Sequence, residues 1–256
     1  IIISLLTMEG IFHFIDPWKA NQYFGDLTEL FNNSHYDPLR QYVPNEGTYQ
    51  YSNWSTTINA KGERAIPDNH PAACTIAFVG DSVTFGYGVN DVDTWVNLIA
   101  QKFPKVHFIN TGLYGYNIEQ VYYSVLTTPA NGYFYTLIDN DADPMIKWHP
   151  PIKLSTAYEW STPTYIYLWL SRRYNATAQP KNYTMFDNFL TKIKNYGNLK
   201  IVGFPSELST RAKIDTVPLW TDNNSFSDAH ASPLGNQQIA QEMFSFIRSL
   251  IQQVCS

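Results

Sequence analysis

A chain of 256 residues is long enough for one full α/β core plus a flanking segment, and 44% hydrophobic residues argue against disorder. A net charge of -5 without a basic stripe removes any electrostatic case for nucleic acid. Two cysteines and six scattered histidines, with no HExxH or paired spacing, supply neither a disulfide framework nor a tetrahedral metal set.

The N-terminal stretch Ile1-Ile2-Ile3-Ser4-Leu5-Leu6-Thr7-Met8 is apolar, and that character continues from Gly10 to Phe14. It is too short to span a bilayer, which takes about 20 apolar residues. It reads either as the tail of a longer membrane helix or as a buried helix of the domain. The basic n-region of a cleavable signal peptide is not seen. Residues 17–72 are irregular and rich in Asn, Pro, Tyr and Asp, with one short helix expected around Leu27, Leu30 and Phe31. The rest of that segment reads as extended chain with turns, wrapped over the main domain. Residues 1–72 are therefore expected to form an N-terminal segment, and 73–256 the main domain.

After residue 72 strands alternate with helices. Cys74–Val79 is a short apolar run ending at Gly80, as a buried parallel strand should. Thr94–Phe103 reads as a helix with Asp93 as its N-cap. Val106–Ile109 is a second strand, Asn117–Leu126 a helix, and Tyr133–Ile138 a third strand. Tyr158–Tyr174, with Trp160, Tyr165 and Trp169, is an aromatic-rich insert that could line a carbohydrate cleft or pack as core. Phe186–Ile193 is helical, and Leu199–Phe204 is a fourth strand closed by Pro205. The last helix starts at Ser232-Pro233, a cap and first-turn pair, and buries Ile239, Met243, Phe246, Ile247 and Leu250. This alternation predicts a three-layer α/β/α sandwich around a central parallel sheet.

Ligands in such sheets sit at the carboxyl ends of the strands. The first strand runs into Gly80-Asp81-Ser82, the second into Asn110-Thr111-Gly112-Leu113-Tyr114-Gly115, and the third into Asp139-Asn140-Asp141. Asp228-Ala229-His230 precedes the last helix. Parallel strands would gather a serine nucleophile, a base and candidate oxyanion donors at one edge. Ser82 Oγ is then expected within about 6 Å of the His230 ring, near proton-transfer reach.

Gly80-Asp81-Ser82 resembles the block that carries the nucleophile in SGNH (GDSL) hydrolases. Asn110 followed by Gly115 is similar to that family's second block, Asn140-Asp141 to its G-x-N-D block, and His230 followed by Gly235 to its last. The four blocks occur in family order across residues 74–250. The resemblance implies an SGNH or flavodoxin-like sandwich and a serine esterase with Ser82 as nucleophile and His230 as base. It also implies an oxyanion hole from the Ser82 and Gly115 N–H groups and the Asn140 side chain. Val83–Val89 resembles the large branch of cell-surface or secreted members, often behind a membrane helix. There are two departures. Ile138 and Asp139 fill the first two positions of G-x-N-D, and Ser227 stands where the family has its acid, leaving Asp228 as the candidate orienting acid. Asp81 reads as structural, holding the loop that presents Ser82.

The expected substrate is an acyl ester, on a carbohydrate or another small alcohol, and the chemistry needs no cofactor. An O-acyltransferase would use the same residues, and a silent glycan-binding or scaffold protein is the reading from a different class. The polar, aromatic composition favours an extracytoplasmic location, secreted or membrane-anchored. Asn32, Asn53, Asn175, Asn182 and Asn223 each begin an N-x-S/T sequon. Cys74 starts the first strand at the end away from the site, and the last helix should descend to that end. Cys74 and Cys255 can therefore meet as a disulfide in an oxidising compartment, the alternative being two free thiols.

Overall fold

The computed structural model describes residues 33–51, 53–146, 180–220, 225 and 230–256. The apolar residues 1–14, the short helix near Leu30 and the insert 158–174 lie outside them, as do Ser227, Asp228 and three sequon asparagines, Asn32, Asn175 and Asn223. The chain divides into two compact units, 1–33 with 149–180, and 34–148 with 181–256. The second carries all that follows.

Its centre is a five-stranded parallel sheet. The strands are β5 (Thr75–Gly80), β6 (His107–Asn110), β7 (Gly132–Leu137), β8 (Leu199–Gly203) and β9 (Asp215–Thr216), in the order β6-β5-β7-β8-β9. The central strands are buried on both faces, which is why β5 reads as the unbroken run Ile76-Ala77-Phe78-Val79. Side-chain alternation then sorts the core. Ile76, Phe78, Phe134 and Val202 face α2 (Trp95–Ala100) and α6 (Pro233–Val254). Val79, Tyr135, Leu137 and Ile201 face α3 (Ile118–Thr127), α4 (Tyr183–Lys194) and α5 (Glu207–Ala212). The three layers predicted from the alternation are present. The two-residue edge strand β9 was not anticipated, being too short to carry a period.

Two boundaries shift for local reasons. Thr94, not Asp93, caps α2, its hydroxyl accepting the Asn97 N–H, while Asp93 belongs to the 3₁₀ turn Asp91–Asp93. Asn117 stands outside α3 as its cap and forms a reciprocal box with Gln120. Ser232 caps α6 as expected, with Pro233 in the first turn.

The segment before the sheet is more ordered than its composition predicts. It forms two antiparallel hairpins, β1 (Ser34–Asp37) with β2 (Gln41–Pro44) and β3 (Gly47–Gln50) with β4 (Ser55–Ile58). Arg64 bridges Ile58 and Asn110, continuing β4 onto β6. Among the described residues no helix is long and apolar enough to cross a membrane.

Cys74, at the amino end of β5, is disulfide-bonded to Cys255, just past α6, with Cα atoms 5.5 Å apart. The bond closes a loop spanning 181 positions, so the unfolded chain loses much entropy. Cys74→Ser with Cys255→Ser is expected to cost about 2–5 kcal/mol. Urea unfolding of the variant beside the oxidised and reduced parent measures this. Superimposable curves for all three would contradict it.

Candidate active site

The sheet reverses its winding between β5 and β7, the switch point where doubly wound folds leave a crevice. Ser82 follows β5 at that crevice. The chain turns there through Gly80 at φ +154°, where a Cβ would fall 2.2 Å from Thr84 Oγ1, so both space and backbone demand glycine. Asp81 then caps the single-turn helix α1 (Ser82–Phe85), one carboxylate oxygen accepting the Val83 N–H at 3.0 Å. Its other oxygen accepts the Ser82 hydroxyl, also at 3.0 Å.

His230 reaches the same place from the opposite end of the chain. Its Nε2 lies 3.0 Å from Ser82 Oγ, well inside the expected 6 Å, and its ring sits 4.7 Å from that of Tyr87. Ser82 has one hydroxyl proton, so Asp81 and His230 are alternative acceptors for it.

Trp95 fastens both partners. Its indole N–H donates to the Val83 carbonyl at 2.8 Å, inside the turn that carries Ser82. Its backbone N–H donates to Asn236 Oδ1 at 3.0 Å, and the Asn236 amide donates to the Ala231 and Ser232 carbonyls just after His230. One side chain therefore ties Ser82 to α2, and another ties His230 to it.

The second loop comes from β6. Asn110 Nδ2 donates to the Thr84 carbonyl at 2.9 Å, and its Oδ1 accepts the Gly112 N–H at 3.0 Å, joining this loop to α1. Residues 113–116 form a β-turn closed by Tyr116 N–H to the Leu113 carbonyl at 3.1 Å. Gly115 occupies its third position at φ +77°. Asn140 is exposed in the 3₁₀ turn Asp139–Ala142 that follows β7, at the same edge of the sheet. The Ser82 hydroxyl engages Asp81 and His230 rather than Asn140.

A buried acid pair lies beneath the crevice. Asp81 and Asp141 are both fully buried, and Asp141 Oδ2 accepts the Ile138 N–H at 2.7 Å. Burial pushes the Asp141 carboxyl well above the usual carboxylate range, and the neighbouring Asp81 charge pushes the same way. Burial also raises Asp81, against hydrogen bonds from Val83 and Ser82 and the nearby His230. Among the described residues no group of three or more His, Cys, Asp or Glu could hold a metal ion.

Sequence reasoning brought forward Ser82, His230 and Gly115, and it treated Asp81 as structural. It quoted Asp141 within the G-x-N-D block without giving it a role, and it assigned none to Trp95, Asn236 or Arg64. Asp141 lies within a recognised block and Asn236 directly follows another, a signal that was available. Trp95 and Arg64 gave none, because their partners lie far along the chain or are backbone carbonyls. Of the described sequons, Asn53 is exposed. Asn182 is exposed too, and its Oδ1 caps α4 by accepting the Met185 N–H.

Fold and site together define a doubly wound α/β/α protein with a serine and a histidine in hydrogen-bond contact at the topological switch point. No family model matches the sequence, and neither does any curated protein. Solved structures similar to it include a member of the lipolytic protein G-D-S-L family from Veillonella parvula. It is 15% identical, with 69% of this chain and 99% of that one covered and a TM-score of 0.44. A lipase/acylhydrolase from Enterococcus faecalis is 16% identical over 69% and 96%, with a TM-score of 0.44. A carbohydrate acetylesterase family member from Sinorhizobium meliloti is 13% identical over 70% and 99%, with a TM-score of 0.38.

Proposed function

We propose that this chain is a serine ester hydrolase of the SGNH (GDSL) type. One observation carries the reading: Ser82 Oγ stands 3.0 Å from His230 Nε2 at the switch-point crevice. Ser82 Oγ attacks the ester carbonyl carbon while its proton passes to His230 Nε2. The tetrahedral intermediate expels the alcohol, which takes that proton from Nε2 and leaves an acyl-Ser82. Water attacks the acyl group, giving a proton to Nε2, and the carboxylic acid departs as Ser82 regains its hydrogen. The oxyanion is held by the Ser82 and Gly115 N–H groups and the Asn140 side chain, each worth about 10²–10³ in rate. In this reading Asp228 is the acid that orients the imidazole through Nδ1 and stabilises its protonated form.

The substrate in this reading is an acyl ester of a carbohydrate or another small alcohol. A biotinylated fluorophosphonate should label the wild-type chain, and the modified tryptic peptide should carry Ser82. An unlabelled chain, or a label on another serine, overturns the reading. Addition of a sugar acceptor to the ester assay separates hydrolysis from acyl transfer by product ratio.

The extracytoplasmic setting belongs to the same proposal. The Cys74–Cys255 disulfide and the exposed sequon at Asn53 support it. In material from the natural source, free thiols at both cysteines would contradict it.

A further inference from the structure

The hydroxyl of Tyr42 donates to the Tyr114 carbonyl at 2.8 Å. That carbonyl belongs to the Tyr114–Gly115 peptide, whose other polar end is the Gly115 N–H. The described residues contain no cis peptide, so C=O and N–H point in opposite directions across this unit. A hydrogen bond holding the oxygen toward Tyr42 therefore holds the N–H away from Tyr42.

The turn makes this anchor necessary. Gly115 has φ +77°, whereas Tyr114 is not among the residues with positive φ, which is the type II pattern. Types I and II differ by rotation of the central peptide alone, here Tyr114–Gly115. Glycine at the third position accepts either state at little cost. Left to itself, the loop would exchange between an N–H and a carbonyl facing one side. A carbonyl presented to a developing oxyanion repels it.

We infer that Tyr42 is a positioning residue for the oxyanion hole, locking the Tyr114–Gly115 peptide in the orientation that presents the Gly115 N–H. This rests on the serine hydrolase reading above. Three observations support it. Tyr42 is fully buried on β2, so its ring has one place to stand. Its own carbonyl accepts the Tyr116 hydroxyl at 2.6 Å, tying hairpin and turn in both directions. A Cβ on Gly115 would lie 3.0 Å from the Tyr42 hydroxyl and 2.7 Å from Ile146 Cδ1, so the turn is packed tightly on both. Burial also raises the Tyr42 phenol well above its ordinary value, so the hydroxyl stays a donor. Donation to the carbonyl polarises the amide and strengthens its N–H as a donor in turn.

The test is steady-state hydrolysis of p-nitrophenyl acetate by Tyr42→Phe, with Tyr133→Phe as the control, since the Tyr133 hydroxyl donates to the Thr128 carbonyl at 2.8 Å at the amino end of β7, away from the crevice. Tyr42→Phe should lower kcat by about 10–100-fold, short of the full loss of an oxyanion donor, with KM little changed. Its affinity for a phenylboronic acid, a tetrahedral mimic, should fall in parallel. Tyr133→Phe should lower the unfolding midpoint and leave kcat within about twofold. An amine donor restored at the same site, by p-aminophenylalanine at position 42, should recover most of kcat. Equal kcat losses in the two phenylalanine variants, no loss in Tyr42→Phe, or no recovery with the amine each overturn the inference while the hydrolase reading stands. A wild type inert to both ester and fluorophosphonate overturns the two together.

Discussion

Ser82→Ala is expected to lower kcat for p-nitrophenyl acetate by about 10⁴–10⁶-fold, with KM little changed, because in the proposed mechanism it removes the atom that forms the acyl bond. His230→Ala should fall into the same range, since an unassisted hydroxyl is a poor nucleophile at neutral pH. The double variant should be hardly worse than either single one, as the 3.0 Å pair acts as a unit. Multiplying losses in the double variant would show that the residues act independently and would defeat the assignment. Asp228→Asn beside Ser227→Ala extends the series to the acid. A large loss in the first and little in the second is the expected result. If both variants keep wild-type activity while Ser82→Ala is dead, a Ser–His dyad replaces the triad.

The second large effect is expected at Arg64. Its side chain is fully buried, between the Trp54 and Phe85 rings at 5.6 and 4.7 Å from their centroids. Nε pairs with Asp91 at 2.8 Å, Nη1 donates to the Phe85 and Gly86 carbonyls, and Nη2 donates to the Val89 carbonyl. Those three carbonyls belong to the last residue of α1 and to the loop that follows it and carries Tyr87 against His230. Arg64→Met keeps much of the volume but strands the acceptors, a class of change that costs about 3–5 kcal/mol. The thermal midpoint should then drop by about 6–20 °C. Arg64→Lys should recover only part of this, because a point charge cannot serve the whole fork of acceptors. Calorimetry on the three proteins reads the result, and a fall below about 2 °C for Arg64→Met would contradict it.

Arg64 and Tyr42 show how the segment before the sheet packs against the site. Residues 17–72 read as an irregular wrap, because four-residue strands carry too little periodicity and Asn, Pro and Tyr weaken every local pattern. In the fold, β2 supplies Tyr42 to the Gly115 turn, and the chain after β4 supplies Arg64 to the loop after α1. Neither contact has a local precursor, since 72 residues separate Tyr42 from Tyr114 and 21 separate Arg64 from Phe85.

What the amino-acid sequence determined by itself is what short-range physics controls. The apolar run Ile76–Val79 specified a buried strand, because a short apolar run closed by a glycine turn fits a strand covered on both faces and is too brief for a helix. Gly80 specified a turn that no larger residue can make. Ser232-Pro233 specified where α6 begins, and the alternation of such elements specified the layers. The tertiary structure alone decided what long-range geometry controls. It closed the 3.0 Å contact between Ser82 and His230 across 148 positions, and it made Trp95 the shared anchor of both. It also buried Asp81 and Asp141 together, raising carboxyls whose sequence neighbours carry no sign of it. A strand, a turn or a cap depends on a few adjacent residues and their backbone angles. A hydrogen bond between distant groups depends on where every intervening element packs, and no single stretch of the chain holds that information.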